Sequence, residues 1–201
     1  MEKLKRQFKE KLLSTGREGM EAVIHNLEDL GFFEAPASTR FHLNVKGGLM
    51  EHSWNVCNTA LMLREQMILM NPEIADKLPI DSVIIASLLH DVCKADIYKE
   101  CLLNRKNEQG IWEKVPGYEA DYSYLPLGHG EKSVIMLLSS GLKLTKDEML
   151  AIRWHMTAWD LAFHSAEQKA NLQKAREIAP LCVIIQCADG LSTSLLEDSC
   201  K

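Results

Sequence analysis

Six residues of this chain could work together on one chemistry: His52, His90, Asp91, His129, His155 and Asp189. Each lies in or beside an apolar, helix-like segment: GGLMEHSWNV, DSVIIASLLHD, LPLGHGEKS, AIRWHM and IIQCADGLST. Neutral imidazole and carboxylate together form a ligand set for borderline and hard divalent ions. Adjacent helical residues point about 100° apart. His90 and Asp91 can therefore both reach inward from a helix end at different angles, and a carboxylate so placed could bridge two ions. Lys94 follows His90 by four residues, on the same face one turn later. A lysine there is a point charge for a phosphate oxygen. Asp189 sits amid LCVIIQCADGL, where a carboxylate is costly unless paired, hydrogen-bonded or metal-bound. Any one of these histidines alone reads as a hydrogen-bonded core residue. Taken together, they suggest a metal centre built from inward side chains on facing helices.

The elements that must position them are helical almost throughout. Residues 2–14 are charged and amphipathic, and residues 17–30 place Met20, Val23, Ile24, Leu27 and Leu30 on one face before Gly31 ends the helix. Residues 32–47 are irregular around Pro36. A long helix is expected from about Leu49 to Met70, closed by Asn71-Pro72. Asp81 is expected to cap the next, 82–94. Residues 99–118 read as a β-hairpin with its turn at Asn107–Gly110. Helices resume at 129–140, and Thr145 opens a capping box with Glu148. A polar helix at 166–177 and a last one at 180–196, with Pro180 in its first turn, complete the pattern. The expected fold is all-α: a single domain over 1–201, with its core at about 41–196 and N-terminal helices at 2–30.

Composition narrows the function classes. With 201 residues and 46% hydrophobic content the chain can bury one real core. A net charge of -5 argues against a general nucleic-acid or membrane coat, while bound metal could still reverse the local sign for a small anion. The six cysteines form no CxxC pair and read as small buried hydrophobes. The charged MEKLKRQFKEKLL start lacks the apolar stretch of a signal peptide, and no apolar run reaches the roughly 18 residues of a membrane span. These features set the expectation of a cytoplasmic protein with no membrane partner.

The segments GGLMEHS, LLHDVCK, GHGEKS, AIRWHM and ADGLS resemble the HD superfamily of metal-dependent phosphohydrolases, over about Phe41 to Thr193. Within it the chain is most similar to stand-alone relatives of HD-type 3′-to-5′ exoribonucleases, without their OB domain. The resemblance implies His52, His90, Asp91 and Asp189 around one ion, with Asp91 bridging to a second ion held by His129 and His155. It also implies that Lys94 matches the HDxxK lysine that contacts phosphate. Cys93 stands where many relatives carry glycine, a change expected to affect only packing. AIRWHM has one histidine where some binuclear relatives have two adjacent ones, which implies a second metal that is weak or absent. Asp160 is a spare carboxylate nearby.

The activity implied is hydrolysis of a small phosphorylated substrate, a nucleotide or short oligonucleotide, with Asp91 and Lys94 catalytic. Long nucleic acid would need a partner domain. The cofactor is one or two divalent ions: Mn, Fe, Ni, Co or Zn. Arg153 is a candidate phosphate contact. Tyr124, with Trp112, Tyr118 and Tyr122, is a candidate wall that stacks a base. His42, Lys46 and Glu131 are further candidates for shaping the pocket. Competing readings are a catalytically silent nucleotide- or signal-binding module, a di-iron oxygenase of the same fold, and a helical protein with a purely structural metal.

Overall fold

A computed structural model of the chain describes residues 1–157 and 165–197. The chain opens with α1 (Glu2–Leu13) and α2 (Met20–Asp29), followed by an irregular stretch and the long α3 (Gly48–Met70). A 3-10 turn (Pro72–Lys77) leads into α4 (Ile80–Leu89) and the short α5 (Lys94–Ile97). Strands β1 (Tyr98–Lys106) and β2 (Trp112–Ala120) come next, then α6 (His129–Ser139), α7 (Lys146–Trp154), α8 (Ala166–Ile178) and α9 (Pro180–Leu191). A π turn, Ser192–Leu196, extends α9. Among the described residues the fold is mainly helical, with one small antiparallel sheet, as expected from the sequence.

Helix α4 is the centre of the molecule. Every residue from Ser82 to Leu89 is buried, and an apolar helix without a polar face is one enclosed on all sides. α3, α7 and α9 pack around it, with α1 on a further flank. α1 and the turn after α2 add an aromatic cluster: Phe8 lies 5.5 Å from Phe32, 5.7 Å from Phe33 and 6.5 Å from Trp54 between ring centroids. The N-terminal helices therefore share one core with the rest.

Most element boundaries follow the sequence signals. Gly31, at φ +72°, ends α2, and Phe32 N–H closes back on the Leu27 carbonyl at 2.9 Å. Thr145 makes the expected capping box, accepting from Glu148 N–H at 3.2 Å while its own N–H reaches the Glu148 carboxylate at 2.8 Å. Three expectations need correction. Helix α4 starts with Pro79, not Asp81, at its N-cap; the Asp81 carboxylate instead takes Arg17 at 2.7 Å. The helix expected to run to residue 94 stops at Leu89, so His90 and Asp91 lie on a turn. The last helix is α-wound only to Leu191.

The hairpin is longer than expected, pairing from Tyr98↔Ala120 to Lys106↔Trp112. Its turn is tied by the Asn107 side chain, which accepts from Gln109 and Ile111 N–H at 3.0 Å each. Its outer end is open to solvent, with Ile111 and Trp112 exposed. Among the described residues, no single helix is long and apolar enough to cross a membrane.

Candidate metal centre

Two helices end in the same way. The last residues of α4 and α7 lead directly into His90 and His155. His90 Nδ1 donates to the Ser87 carbonyl at 2.8 Å, and His155 Nδ1 donates to the Ile152 carbonyl at 2.7 Å, each three residues back. Each imidazole thus satisfies a carbonyl that a helix C-terminus leaves without a partner. Because a carbonyl only accepts, Nδ1 must carry the proton, and Nε2 of the neutral ring is left as a lone pair pointing away from the helix. The negative ends of two helix dipoles converge on the same spot, which favours a cation there.

A third imidazole faces them. His52 lies in the second turn of α3, whose start is seated tightly: a Cβ on Gly48 would fall 2.0 Å from the Leu43 carbonyl oxygen. The Glu197 carboxylate takes His52 Nδ1 at 2.9 and 3.1 Å, so His52 Nε2 is also left as the donor to any ion. It lies 3.2 Å from His90 Nε2. It is 3.4 Å from Asp189 Oδ1 and 3.6 Å from Asp91 Oδ2, while His90 Nε2 is 3.3 Å from Asp91 Oδ2. On the other oxygen of Asp91, His155 Nε2 stands 3.2 Å from Oδ1.

These residues fit a divalent ion. Two nitrogen or oxygen donors bound at about 2.0–2.1 Å and separated by a tetrahedral angle lie about 3.3 Å apart, close to the spacing found. Two lone pairs facing each other at 3.2 Å repel unless a cation lies between them. Asp91 Oδ1 and His155 Nε2 are buried without an acceptable hydrogen-bond partner; such orphaned groups are rare unless something binds them. His52, His90, Asp91 and His155 are all at most 2% exposed.

The electrostatics point the same way. Burial presses the His52 pKa down, but the Asp91, Glu197 and Asp189 carboxylates outweigh it and raise the value to about 9. Burial likewise opposes charge on His155, and Asp91 and Asp189 more than restore it. Burial would raise the Asp91 pKa, yet Lys94, His90, His155 and His52 hold it well below the carboxylate range. Without a metal the cluster therefore draws a proton as a substitute cation. Lys94, at the start of α5, is buried with Nζ 2.6 Å from Asp91 Oδ2; despite desolvation, Asp91 keeps its pKa raised.

His129 is the first residue of α6. Gly130 lets that helix start against the end of α7, since a Cβ there would lie 2.1 Å from the Arg153 carbonyl oxygen. His129 Nδ1 meets Cys93 Sγ at 3.3 Å. The thiol therefore faces an imidazole, a contact beyond the simple packing expected of it.

A cavity of about 320 Å³ opens over the cluster, lined in part by His42, Asp91, Lys94, His155, Gln186, Asp189 and Thr193. Burial, with His52 and Lys94 nearby, pushes the His42 pKa down to about 4, so this ring is neutral at physiological pH. Its buried Nε2 has no hydrogen-bond partner. Some sequence candidates lie elsewhere. Arg153 pairs with Glu131 at 2.7 Å and stacks over Trp154. Tyr124 is 84% exposed and borders a separate cavity beside Asp96 and Lys132. Lys46 and Tyr118 line a third and larger cavity, about 650 Å³, between the 39–46 loop and the hairpin. Trp112 and Tyr122 are exposed. Asp160 falls outside the described residues.

Sequence reasoning missed Glu197, which orients His52 and is itself held by Asn55 Nδ2 at 3.2 Å. It also missed the carbonyls of Ser87 and Ile152. The His-after-helix pattern, common to LLHD and RWHM, was the one available signal for those two.

The HD domain family model matches residues 49–194. No curated protein matches the chain, and no solved structure matches it.

Proposed function

Because the chain belongs to the HD-domain family, we propose that it hydrolyses a small phosphate ester in a metal-dependent reaction, with a nucleotide or short oligonucleotide as substrate. Members of the family are generally metal-dependent phosphohydrolases, and the His/Asp cluster could hold such an ion. The observation that carries the reading is the set of buried, mutually facing donor atoms, with Lys94 beside them on the wall of the same cavity.

The roles follow from position. His52, His90, Asp91 and Asp189 would hold one ion. Asp91 turns its second oxygen toward His155, which groups with His90 and Asp189, while Asp91 itself also groups with Cys93 and His129, where a second ion would sit. A divalent ion held here would polarise a phosphoryl oxygen and supply a water acidic enough to attack phosphorus near neutral pH. Lys94 is charged and rigidly held by Asp91, so it can neutralise charge that builds on the non-bridging oxygens. His42, neutral and unpartnered at Nε2, can exchange a hydrogen bond with the substrate's ester or sugar oxygens. The cavity, at about 320 Å³, is at the small end of ligand sites and favours a mononucleotide or the terminal residue of a short oligomer. The likeness of the motifs to HD-type exoribonucleases supports the oligomer, whose further residues would extend from the cavity.

The test pairs elemental analysis with hydrolysis of an aryl phosphodiester and an aryl phosphomonoester under Mn, Fe, Co, Ni and Zn. Activity that requires metal and vanishes in Asp91→Ala is the expected result. Bound metal with no turnover of either ester or of short oligonucleotides would overturn the proposal.

A further inference from the structure

Building on the metal-centred reading above, we infer that Cys93 is itself a metal ligand, its sulfur joining His129 and Asp91 in a thiolate-bearing second position. One donor atom from each of Asp91, Cys93 and His129 lies within 4.8 Å of the other two. Cys93 Sγ is 3.3 Å from His129 Nδ1. A sulfur at about 2.3 Å and an imidazole nitrogen at about 2.0 Å from one tetrahedral ion stand about 3.5 Å apart. The cysteine is 0% exposed, and its backbone N–H is held by Ser133 Oγ at 3.3 Å.

A second observation is that Asp91, the carboxylate shared with this group, keeps an oxygen without a hydrogen-bond partner. Asp91 turns Oδ2 toward His52, His90 and Lys94, and Oδ1 toward His155. Both Oδ1 and His155 Nε2 are buried and unpartnered. A cation beside Cys93 and His129 would give Oδ1 a partner, and Asp91 would then serve both positions.

Binding is a metal-for-proton exchange. The S–H bond breaks, the sulfur lone pair forms the S–metal bond, and the proton passes to buffer. A soft donor changes the choice of ion: this position prefers Zn, Co or Cd to Mn or Mg, whereas the first position, with imidazole and carboxylate only, keeps the broader range.

The experiment is anaerobic titration of the metal-stripped full chain with Co(II), followed in the near ultraviolet, where thiolate-to-cobalt charge transfer absorbs. The expected result is a charge-transfer band in the parent that is absent from both Cys93→Ser and Cys93→Gly. In both variants cobalt still fills the first position and helical circular dichroism is unchanged. The second equivalent should weaken at least as much as the roughly 10–100-fold that follows loss of a partner behind a ligand. Cobalt bound without the band, or a band that survives in both variants, would overturn the assignment of Cys93 alone. A parent chain that binds no cobalt would refute the metal-centred reading and this inference with it.

Discussion

Glu197 holds His52 by its Nδ1 and thereby decides which nitrogen is left for an ion. Replacing the carboxylate by an amide in Glu197→Gln keeps the size but permits the opposite tautomer. Metal affinity should fall roughly 10–100-fold, and the metal-free protein should also lose stability near neutral pH, because the charged His52 loses one of the carboxylates that raise its pKa. Titration with Zn and a chromophoric chelator measures this, and an unchanged affinity would remove Glu197 from the site. The same imidazole makes the metal-free protein sensitive to pH. Its folded pKa is raised from 6.5 to about 9, so its contribution to stability is complete below about pH 6.5 and is lost as pH rises through about 9. His155 shifts in the same direction. Denaturant midpoints of chelator-treated protein should therefore fall between pH 6.5 and 9, while saturating Zn, which binds deprotonated imidazole, abolishes the fall. Flat midpoints without metal would show that no proton substitutes for the ion. At this scale the sequence was informative about ligand types, because histidine beside aspartate in apolar surroundings has few other uses. It was silent on Glu197, because a glutamate in LLEDSC looks like any surface carboxylate; only folding brings it to a histidine 145 residues away.

Elements set how closely these side chains can gather. Helix α6 meets α7 backbone to backbone at Gly130, with no flexible side chain between to give way. Gly130→Ala should cost about 1–3 kcal/mol, lowering the melting midpoint by a few to about 10 °C. It should also push His129 away from Cys93 and weaken the second position more than the first. Calorimetry and metal stoichiometry together check this; a variant as stable as the parent would mean the helices have room to part. Helix existence was legible from apolar spacing and from punctuation such as Gly31 and the Thr145–Glu148 box. The end of α4 was not, because VIIASLLHDVCK stays apolar past the point where the backbone turns. Nor was the change of winding after Leu191. There the Glu197 N–H bonds to the Ser192 carbonyl, five residues back, at 3.1 Å, and nothing in STSLLE announces that wider turn.

Across the whole molecule one buried ion pair fastens the N-terminal helices to the ligand-bearing core. Arg17, between α1 and α2, reaches Glu148 of α7 with two contacts, 2.6 and 2.8 Å, and Asp81 of α4 at 2.7 Å. Ser82 also donates to Glu148 at 2.6 Å. Glu148 is wholly buried, so removing the guanidinium strands a charge. Arg17→Met should destabilise by about 3–5 kcal/mol, and Glu148→Gln added to it should recover part of the loss. Urea unfolding of the single and double variants reads both effects, and a single variant within error of the parent would contradict the linkage. Arginine 17 carries no local mark of this role; its two partners lie 64 and 131 residues on.

The order in which this chain is made bears on how it acquires its ion. His52 is oriented by a residue 145 positions later. At typical translation speeds of about 5–20 residues per second, roughly 7–30 s pass between synthesis of the two. Throughout that interval a nascent chain carries imidazoles and thiols without the carboxylate that sorts them. Whatever ion is abundant near the ribosome then has first access to a half-built site, before the closing turn brings in the Glu197 carboxylate that orients His52.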